Sequence, residues 1–504
     1  MTKKILIIAV TAVILVAVLA VFAVLAPGSR NNDNEPSDST TPAPSADGDN
    51  TAGSSGTQDP GVDIPDTLNF GNRDITFFIW SDHTMTEFYA DDVTGNTISD
   101  EIHERNALVE ELLGVRLNYI SEPGNTDHMS DFIKKAETDL SSGACEYDII
   151  AGYSRTAPAM ALSGKLAELT SMDYLNFDKP WWPSTLIDEC TVNNKLYFCS
   201  GDISTNLLWM MVATFFNKDL INQYGLENPY DLVNNNQWTL DKMLEMCAGR
   251  YSDTDGAGTK DRGDTFGYVL YNINADAFIN AAGFTALKKD NTGHIIISPD
   301  MTDQRLYSLI DKVGEFINGP DVFYENSTKV RDIFFEERSL FTTDRCFIVA
   351  GKDNGASDAK IEFEYGIIPN PKYSTDQQNF CTNVGHPYTM YAISVGVKGD
   401  NVDACAATIE MLAYQSYKMV TPAVFESAMK VKYASDDTAS VMYDILRSTV
   451  VFDLGRLYSN QIGDVYATIR AQMFNNSKTF ASQYKVTEKL MSAGIKTISA
   501  AFED

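Results

Sequence analysis

The hydrophobic pattern of the first folded stretch predicts a repeated strand–helix unit. Apolar or alternating runs at 75–80, 115–120 and 148–152 predict three strands. Between them, residues 98–113 and 127–140 carry apolar side chains at helical spacing. This βαβαβ order implies right-handed crossovers and a mostly parallel sheet flanked by helices.

The pattern continues to the C-terminus without an internal repeat. An apolar run at 207–216, rich in aromatic residues and methionine, predicts a core strand. Further helices are predicted at 240–247, 303–317, 404–413, 440–447 and 461–474, and further strands at 266–270, 347–350 and 389–395. With 504 residues, 44% of them apolar, the chain is long enough for two or three α/β domains.

The N-terminal part of the chain has a different composition. After two lysines, residues 5–26 contain Thr11 as their only polar side chain, which suits a membrane-spanning helix or a long signal sequence. Because this run is longer than a usual signal core, we expect residues 1–26 to anchor the protein at the extracellular face of the cell membrane. Secretion after cleavage near Ala26 is the alternative. Residues 27–71, mostly small and polar, predict a disordered tether.

The net charge bears on the partners. The formal charge is −30, from 69 acidic and 39 basic residues. Such a protein repels phosphate backbones and anionic lipid headgroups, so nucleic acid is not expected as a partner. A neutral or cationic solute fits the charge better, although a solvated acidic surface is the simpler explanation of the charge itself.

The cysteines do not form a disulfide framework. There are seven, an odd number, scattered over more than 250 residues, and most are expected to be buried thiols. The one candidate pair is Cys190 and Cys199, although the turn between them would leave the two side chains diagonal rather than opposite.

Two polar loops follow predicted strands at one edge of the sheet. They contain Trp80, Asp82 and His83 at the end of the first strand and Tyr153, Ser154 and Arg155 at the end of the third. Ligands of open α/β sheets bind beyond the carboxyl ends of the strands. An aromatic face with carboxylate and guanidinium groups suits a sugar. A buried tryptophan and a structural Arg–Asp pair explain these residues almost as well.

A series of short segments spread over residues 72–500 carries a family resemblance. The segments are Tyr147-Asp-Ile-Ile150, Gly164-Lys-Leu-Ala-Glu-Leu169, Lys195-Leu-Tyr197, Phe215-Phe-Asn-Lys218, Tyr224-Gly-Leu226, Gln237-Trp-Thr239, Phe334-Phe335 before Phe341, Tyr365-Gly-Ile-Ile-Pro369 and Met390-Tyr-Ala-Ile-Ser394. In order and spacing they resemble the family-one extracellular solute-binding proteins of ABC importers, the maltose-binding-protein-like group.

The resemblance implies a two-lobed type II periplasmic-binding-protein-like fold, each lobe a mostly parallel sheet flanked by helices. On that template, residues 72–203 plus 341–386 form one lobe and residues 204–340 plus 387–504 form the other. The ligand would lie in the cleft between them. Further candidate ligand-binding residues, near the lobe crossovers or in a loop of the template, are Asp202, Ser204, Arg345, His386 and Tyr388. The glycine and proline beside them also serve ordinary turns.

The family also implies a function. It predicts a monomeric, non-catalytic receptor that captures a sugar or oligosaccharide and delivers it to the permease subunits of an ABC importer. The sequence contains no Gly-x-Ser-x-Gly, phosphate-binding loop or His-Glu-x-x-His motif. Two alternatives stay open: a surface carbohydrate-active enzyme, because 69 acidic residues always offer carboxylate pairs, and a sensor that binds a solute without transport.

Residues 253–264 resemble a twelve-residue calcium loop. Asp253, Asp255, Asp261 and Asp264 stand at its positions one, three, nine and twelve, with Ala257 at position five and Gly258 at position six. An alanine within the loop removes one oxygen ligand, and calcium prefers six or more. Calcium is therefore the one candidate cofactor, with a plain acidic turn as the alternative.

Overall fold

The computed structural model describes residues 59–354, 361–432, 434 and 436–503. The predicted anchor at 1–26 and the predicted tether up to residue 58 lie outside these residues. Within the described ranges, no helix is both long and apolar enough to cross a membrane. All seven cysteines are free, and Cys190 and Cys199 are both buried. The candidate bridge between these two residues is therefore absent.

The folded part contains two main sheets and two small strand pairs. The strands are β1 Arg73–Trp80, β2 Val115–Glu122, β3 Ile149–Tyr153, β4 Val212–Asn217, β5 Phe266–Tyr271, β6 Leu287–Lys289, β7 Ile295–Ile297, β8 Val322–Glu325, β9 Ser339–Arg345, β10 Tyr365–Ile368, β11 Thr382–Asn383, β12 Thr389–Ile393 and β13 Val450–Val451.

The helices surround the two sheets. They are α1 Thr97–Leu113, α2 Met129–Ser142, α3 Thr156–Ala161, α4 Ser184–Cys190, α5 Thr205–Trp209, α6 Lys218–Gln223, α7 Pro229–Asn234, α8 Leu240–Cys247, α9 Asp276–Ala281, α10 Gln304–Ile317, α11 Arg331–Phe335, α12 Asp400–Gln415, α13 Asp437–Ser448, α14 Leu454–Leu457, α15 Val465–Phe474 and α16 Phe480–Ala501. Ser416–Val420 and Pro422–Lys432 are π-helical.

The first sheet has the strand order β12-β3-β1-β2. Strand β1 runs parallel to β2 and β3, as the βαβαβ pattern predicted, and β12 is antiparallel to β3. The inner strand is covered by aromatic rings: Phe78 stacks on Phe132 of α2 at 4.2 Å and on Tyr147 at 4.3 Å between ring centroids. The parallel pairing of β1 and β3 places their carboxyl ends at one edge of the sheet.

The second sheet has the strand order β10-β4-β9-β5-β8. Strand β5 is parallel to β8 and β9, whereas β4 is antiparallel to β9 and β10. We call the bodies around the first and second sheets the first and second lobe. Two of the four strand pairings here are antiparallel, so the expectation of a mostly parallel sheet holds only for the first lobe.

Two chain segments run side by side between the lobes. Residues 199–211 and 384–391 are joined by bridges between Cys199 and Tyr391 and between Met211 and Val384. We call them the first and second crossing segments. The second one carries the chain from β11, beside the second sheet, into β12 of the first sheet.

The predicted lobe boundaries need correction at these crossings. Strands β9 and β10 lie within 339–368 and pair with β4 in the second sheet, although 341–386 was assigned to the first lobe. Strand β12 was assigned to the second lobe but pairs with β3 in the first. The sheet that each of these strands joins is set by contacts between residues distant in sequence. The boundaries taken from the family template therefore place these strands in the wrong lobe.

Residues 59–71, the end of the predicted tether, are packed on the folded part. The Tyr414 hydroxyl donates to Oδ2 of Asp59 at 2.8 Å, and Lys179 forms an ion pair with Asp63 at 2.8 Å. Ile64 is buried. The prediction of disorder is wrong for this stretch, because one apolar side chain and two charged contacts hold it despite its polar composition.

Two predicted strands have another structure. Residues 207–216 begin as the short helix α5, and the strand β4 starts at Val212. Residues 347–350 belong to a 3-10 helix, in which the Phe347 ring lies 5.2 Å from the guanidinium of Arg331 and 4.9 Å from that of Arg345. An apolar run alone does not distinguish a buried strand from a buried helical turn.

Candidate functional site

A cavity lies where the second crossing segment meets the residues after β13. Its wall includes His386 and Tyr388 from that segment and Asp453 and Arg456 from the region of α14. The rest of the wall is formed by Asn280, Asn383, Val384, Val451, Phe452 and Leu457. We call this space the interlobe cavity. Its volume is ≈ 20 Å³, room for about one water molecule.

The loop after β3 lies against the same wall. Ser154 Oγ donates a hydrogen bond to the carbonyl oxygen of His386 at 2.7 Å and lies 3.3 Å from its Nδ1. Arg155 donates from Nη2 to Oδ1 of Asn460 in the second lobe. The ring centroids of Tyr153 and His386 are 6.2 Å apart. The structure thus brings together five of the candidates, namely Tyr153, Ser154, Arg155, His386 and Tyr388. They come from two parts of the chain that only the family resemblance linked.

Arg456 and Asn383 leave polar atoms without partners at the cavity. Arg456 Nη1 donates to Oδ2 of Asp276 at 2.8 Å and to Oδ1 of Asn280 at 3.4 Å. Its Nε and Nη2 form no hydrogen bond with any described residue. Oδ1 of Asn383, a residue 4% exposed, is also buried without a partner in the described ranges. A ligand hydroxyl could donate to Asn383, and a ligand oxygen could accept from Arg456.

Behind Arg456, one carboxylate is shared by two arginines. Arg470 Nη1 contacts both oxygens of Asp276, at 2.6 and 2.7 Å, and Arg456 contacts one of them. Asp453 is held separately, because it accepts hydrogen bonds from the Gly455 N–H at 2.7 Å and from the Tyr466 hydroxyl. These residues were not predicted as part of the site. The available signal was a pair of charges, Asp453 and Arg456, within the otherwise apolar stretch 450–457.

The candidates after β1 are tied into the first lobe. Trp80 is 1% exposed, and its Nε1 donates to Oγ1 of Thr389 at 2.8 Å. Asp82 Oδ2 accepts the backbone N–H of Gly124 at 2.6 Å and that of Asn125 at 3.0 Å. Trp80 is therefore buried, as the alternative interpretation has it, but no Arg–Asp pair forms, because Asp82 accepts backbone N–H groups and Arg155 donates to Asn460. Neither Trp80 nor Asp82 lies in the wall of the interlobe cavity.

His83 is packed among aromatic rings. Its ring centroid lies 5.3 Å from that of Phe88 and 6.3 Å from that of Trp80. Burial lowers the pKa of His83, while the charges of Glu87 and Asp82 oppose the shift. The ring therefore stays neutral near neutral pH and is part of the packing behind the loop.

Asp202 and Ser204 lie on the first crossing segment, and Ser204 links it to the second. The Asp202 carboxylate lies 3.6 Å from Nη2 of Arg447 on α13. Burial raises the pKa of Asp202 to about 6, and Arg447 opposes that shift. Ser204 Oγ accepts the backbone N–H of Thr389 at 3.2 Å. Both residues lie at a lobe crossover, as the template predicted.

Arg345 lies in a buried charge cluster beside the second crossing segment. Arg331 binds Asp344 through two hydrogen bonds, at 2.6 and 3.1 Å, and Arg345 Nε approaches the same carboxylate at 3.5 Å. A Cβ atom at Gly385 would lie 2.7 Å from Cδ of Arg345, so a larger residue there would displace the Arg345 side chain. Arg345 therefore contacts the crossing segment, one residue before His386.

Comparison with known proteins rests on structure. No protein-family model and no curated protein matches the sequence. The maltose-binding periplasmic protein from Listeria monocytogenes, in complex with maltose, is 12% identical with a TM-score of 0.52, covering 85% of this chain and 97% of that chain. A cyclic α-maltosyl-1,6-maltose-binding protein from Arthrobacter globiformis is 15% identical with a TM-score of 0.52, covering 86% and 99%. UgpB from Mycobacterium tuberculosis, in complex with glycerophosphocholine, is 14% identical with a TM-score of 0.52, covering 84% and 99%.

The chain has the maltose-binding-protein-like fold. The similarity spans nearly the whole of those chains, so it includes both lobes and the crossing segments. Within this maltose-binding-protein-like fold, the interlobe cavity lies at the junction of the lobes. Its wall contains the charged groups Asp453 and Arg456 together with amide, imidazole, aromatic and aliphatic side chains.

The predicted calcium loop brings three of its four acids together. Carboxylate oxygens of Asp253, Asp255 and Asp264 lie within 4.8 Å of one another. Asp264 is buried, and its oxygens accept the backbone N–H groups of Thr254 and Asp261. Asp261 is not a member of the group, and its carboxylate accepts the N–H of Gly263. Three carboxylates suit a hard divalent cation, and calcium at this loop stays a prediction.

Proposed function

We propose that the protein is a solute-binding receptor that captures a sugar or oligosaccharide between its lobes and delivers it to an ABC importer. The observation that carries this proposal is that two side chains at the interlobe cavity, Asn383 and Arg456, have polar atoms without a hydrogen-bond partner among the described residues. Among the described residues, Asn383 Oδ1 is buried without a partner, and Arg456, which lines the cavity, forms hydrogen bonds only through Nη1. Buried polar atoms are normally hydrogen-bonded, so unpaired ones at a cavity favour a ligand.

The fold supports the capture step. A sugar ring does not fit a space of ≈ 20 Å³, so the lobes have to part to admit it. Ser154 and Arg155 of the first lobe face His386 and Asn460 across the junction. A ligand that contacts both lobes only when they are closed would stabilise the closed form, since differential affinity alone shifts such an equilibrium.

A thermal-shift screen against neutral and acidic sugars and oligosaccharides tests the receptor function. We expect at least one sugar to raise the melting temperature, because a ligand that binds only the folded state stabilises it. Replacing Asn383 by alanine should lower the affinity for that sugar roughly tenfold, because one hydrogen bond to the ligand is lost. Asn118→Ala, at the exposed edge strand β2, is the matched control and should leave the affinity unchanged.

Two outcomes would replace the receptor proposal. If no sugar shifts the melting temperature, solute capture of this class is wrong. If the protein releases reducing ends from the same glycans, it is a carbohydrate-active enzyme. Neighbouring genes that encode no permease would favour a sensor over a transport receptor.

A further inference from the structure

The charged groups around the interlobe cavity are unequal in number. Three guanidinium groups, those of Arg155, Arg456 and Arg470, meet two carboxylates, those of Asp276 and Asp453. Arg155 has an amide oxygen as its partner, not a carboxylate. The chain as a whole has a formal charge of −30, so this local excess of positive charge runs against the charge of the molecule.

Arg456 pairs with the Asp276 carboxylate through one nitrogen only. Its side chain is 10% exposed, yet within the described residues only its Nη1 forms hydrogen bonds. The nearby Asp453 accepts from the Tyr466 hydroxyl and from the N–H groups of Gly455 and Ala286. A buried guanidinium with open N–H groups binds an anionic oxygen more strongly than a neutral one.

The other titratable groups at the cavity do not cancel this charge. Burial and the charges of Arg456, Arg155 and Arg470 hold the pKa of His386 well below its usual value, so His386 is neutral. Burial raises the pKa of Glu189 to about 7. Its Oε1 accepts the N–H of Leu454 at 2.8 Å, and the positive charge of Lys289 lies close enough to act on it.

We propose that the interlobe cavity selects a sugar that carries an anionic group, a carboxylate or a phosphate, over the neutral sugar with the same ring. This inference rests on the proposed receptor function. The anionic oxygens accept from Nε and Nη2 of Arg456 within the field of Arg155, and a ring hydroxyl donates to Asn383. A guanidinium presents parallel N–H groups that match the two oxygens of either anion.

Calorimetric titration with matched sugars tests this selectivity. Glucose is compared with glucuronate and with glucose 6-phosphate. Galactose is compared with galacturonate, and the disaccharide of galactose with digalacturonate. We expect at least one acidic sugar to bind tenfold or more tightly than its neutral partner, and the uronate and phosphate arms identify the anion. If a neutral sugar binds as tightly as its acidic partner, the selectivity is wrong while the receptor function stands. If neither class binds, both are wrong.

Two arginine variants test which positive charge causes the preference for acidic sugars. Arg456→Gln and Arg155→Gln should each lower the affinity for the acidic sugar roughly ten- to a hundredfold. The affinity for the neutral sugar should fall less. Among the described residues, the Arg155 side chain forms one hydrogen bond, so that variant serves if Arg456→Gln does not fold. The matched control is Arg116→Gln, 58% exposed and paired with Asp74 at the start of the parallel strands, away from the cavity. An equal loss in this control would attribute the preference to overall charge and overturn the proposal.

Discussion

Trp80 distinguishes packing from binding. Its indole is buried and donates to Thr389, so we expect Trp80→Ala to lower the free energy of unfolding by about 3–5 kcal/mol. Trp80→Phe keeps most of the ring volume and should cost less. Urea denaturation measures both variants, and titration of the folded variants with the bound sugar measures affinity. If Trp80→Ala kept its stability but lost affinity for the sugar, Trp80 would be a ligand-binding residue and not a packing residue.

Glu410 on α12 should make the stability depend on pH. It is buried and accepts the indole N–H groups of Trp181 at 3.2 Å and Trp182 at 3.0 Å. Burial nevertheless raises its pKa from 4.5 to about 7. Because the folded state then binds the proton more tightly than the unfolded state, this contribution is full below pH 4.5 and is lost as the pH rises to about 7.

The variant Glu410→Gln isolates that contribution. Glutamine does not titrate, so the unfolding free energy of the wild type relative to the variant should fall by on the order of 3 kcal/mol between pH 4 and 8. Urea denaturation of both proteins across this range measures the difference. A difference that does not change with pH would show that the folded Glu410 titrates near its ordinary value.

The loop 253–264 has a testable role as an element. If calcium binds there, it should raise the melting temperature relative to excess chelator, by about 2.7 kcal/mol of stability at a hundredfold excess over Kd. Asp255→Asn should remove most of the gain, since Asp255 is an exposed member of the three-acid group. Asp290→Asn, an exposed acid in another turn, is the control. Identical melting curves with calcium and with chelator would exclude the metal.

The N-terminal apolar run concerns the whole molecule. If residues 5–26 anchor the chain, the full-length protein should stay in the membrane fraction after a high-salt wash, because 22 mostly apolar residues can span a bilayer. A chain that begins at residue 59 should be found in the soluble fraction and is the control. A mature N-terminus near residue 27, measured by mass spectrometry, would contradict the anchor and indicate a cleaved signal.

The net charge of the whole molecule has the opposite sign to the charge of the groups around its cavity. A charge of −30 favoured a neutral or cationic solute, whereas the interlobe cavity has more guanidinium groups than carboxylates around it. Surface charges are screened over about 10 Å in dilute salt, whereas a ligand in a buried cavity responds to the nearest unscreened groups. Total charge therefore describes solubility better than specificity.

The sequence by itself determined the α/β class, the three strands of the first lobe and the polar loop after β3, because periodicity and strand-end chemistry are local. Only the tertiary structure decided which sheet β9, β10 and β12 join, and that Trp80 is buried. It also decided the interlobe cavity: Ser154 and His386 are 232 residues apart in sequence yet share a hydrogen bond. Such contacts depend on how distant strands pair and how the crossing segments run, and no local pattern records either.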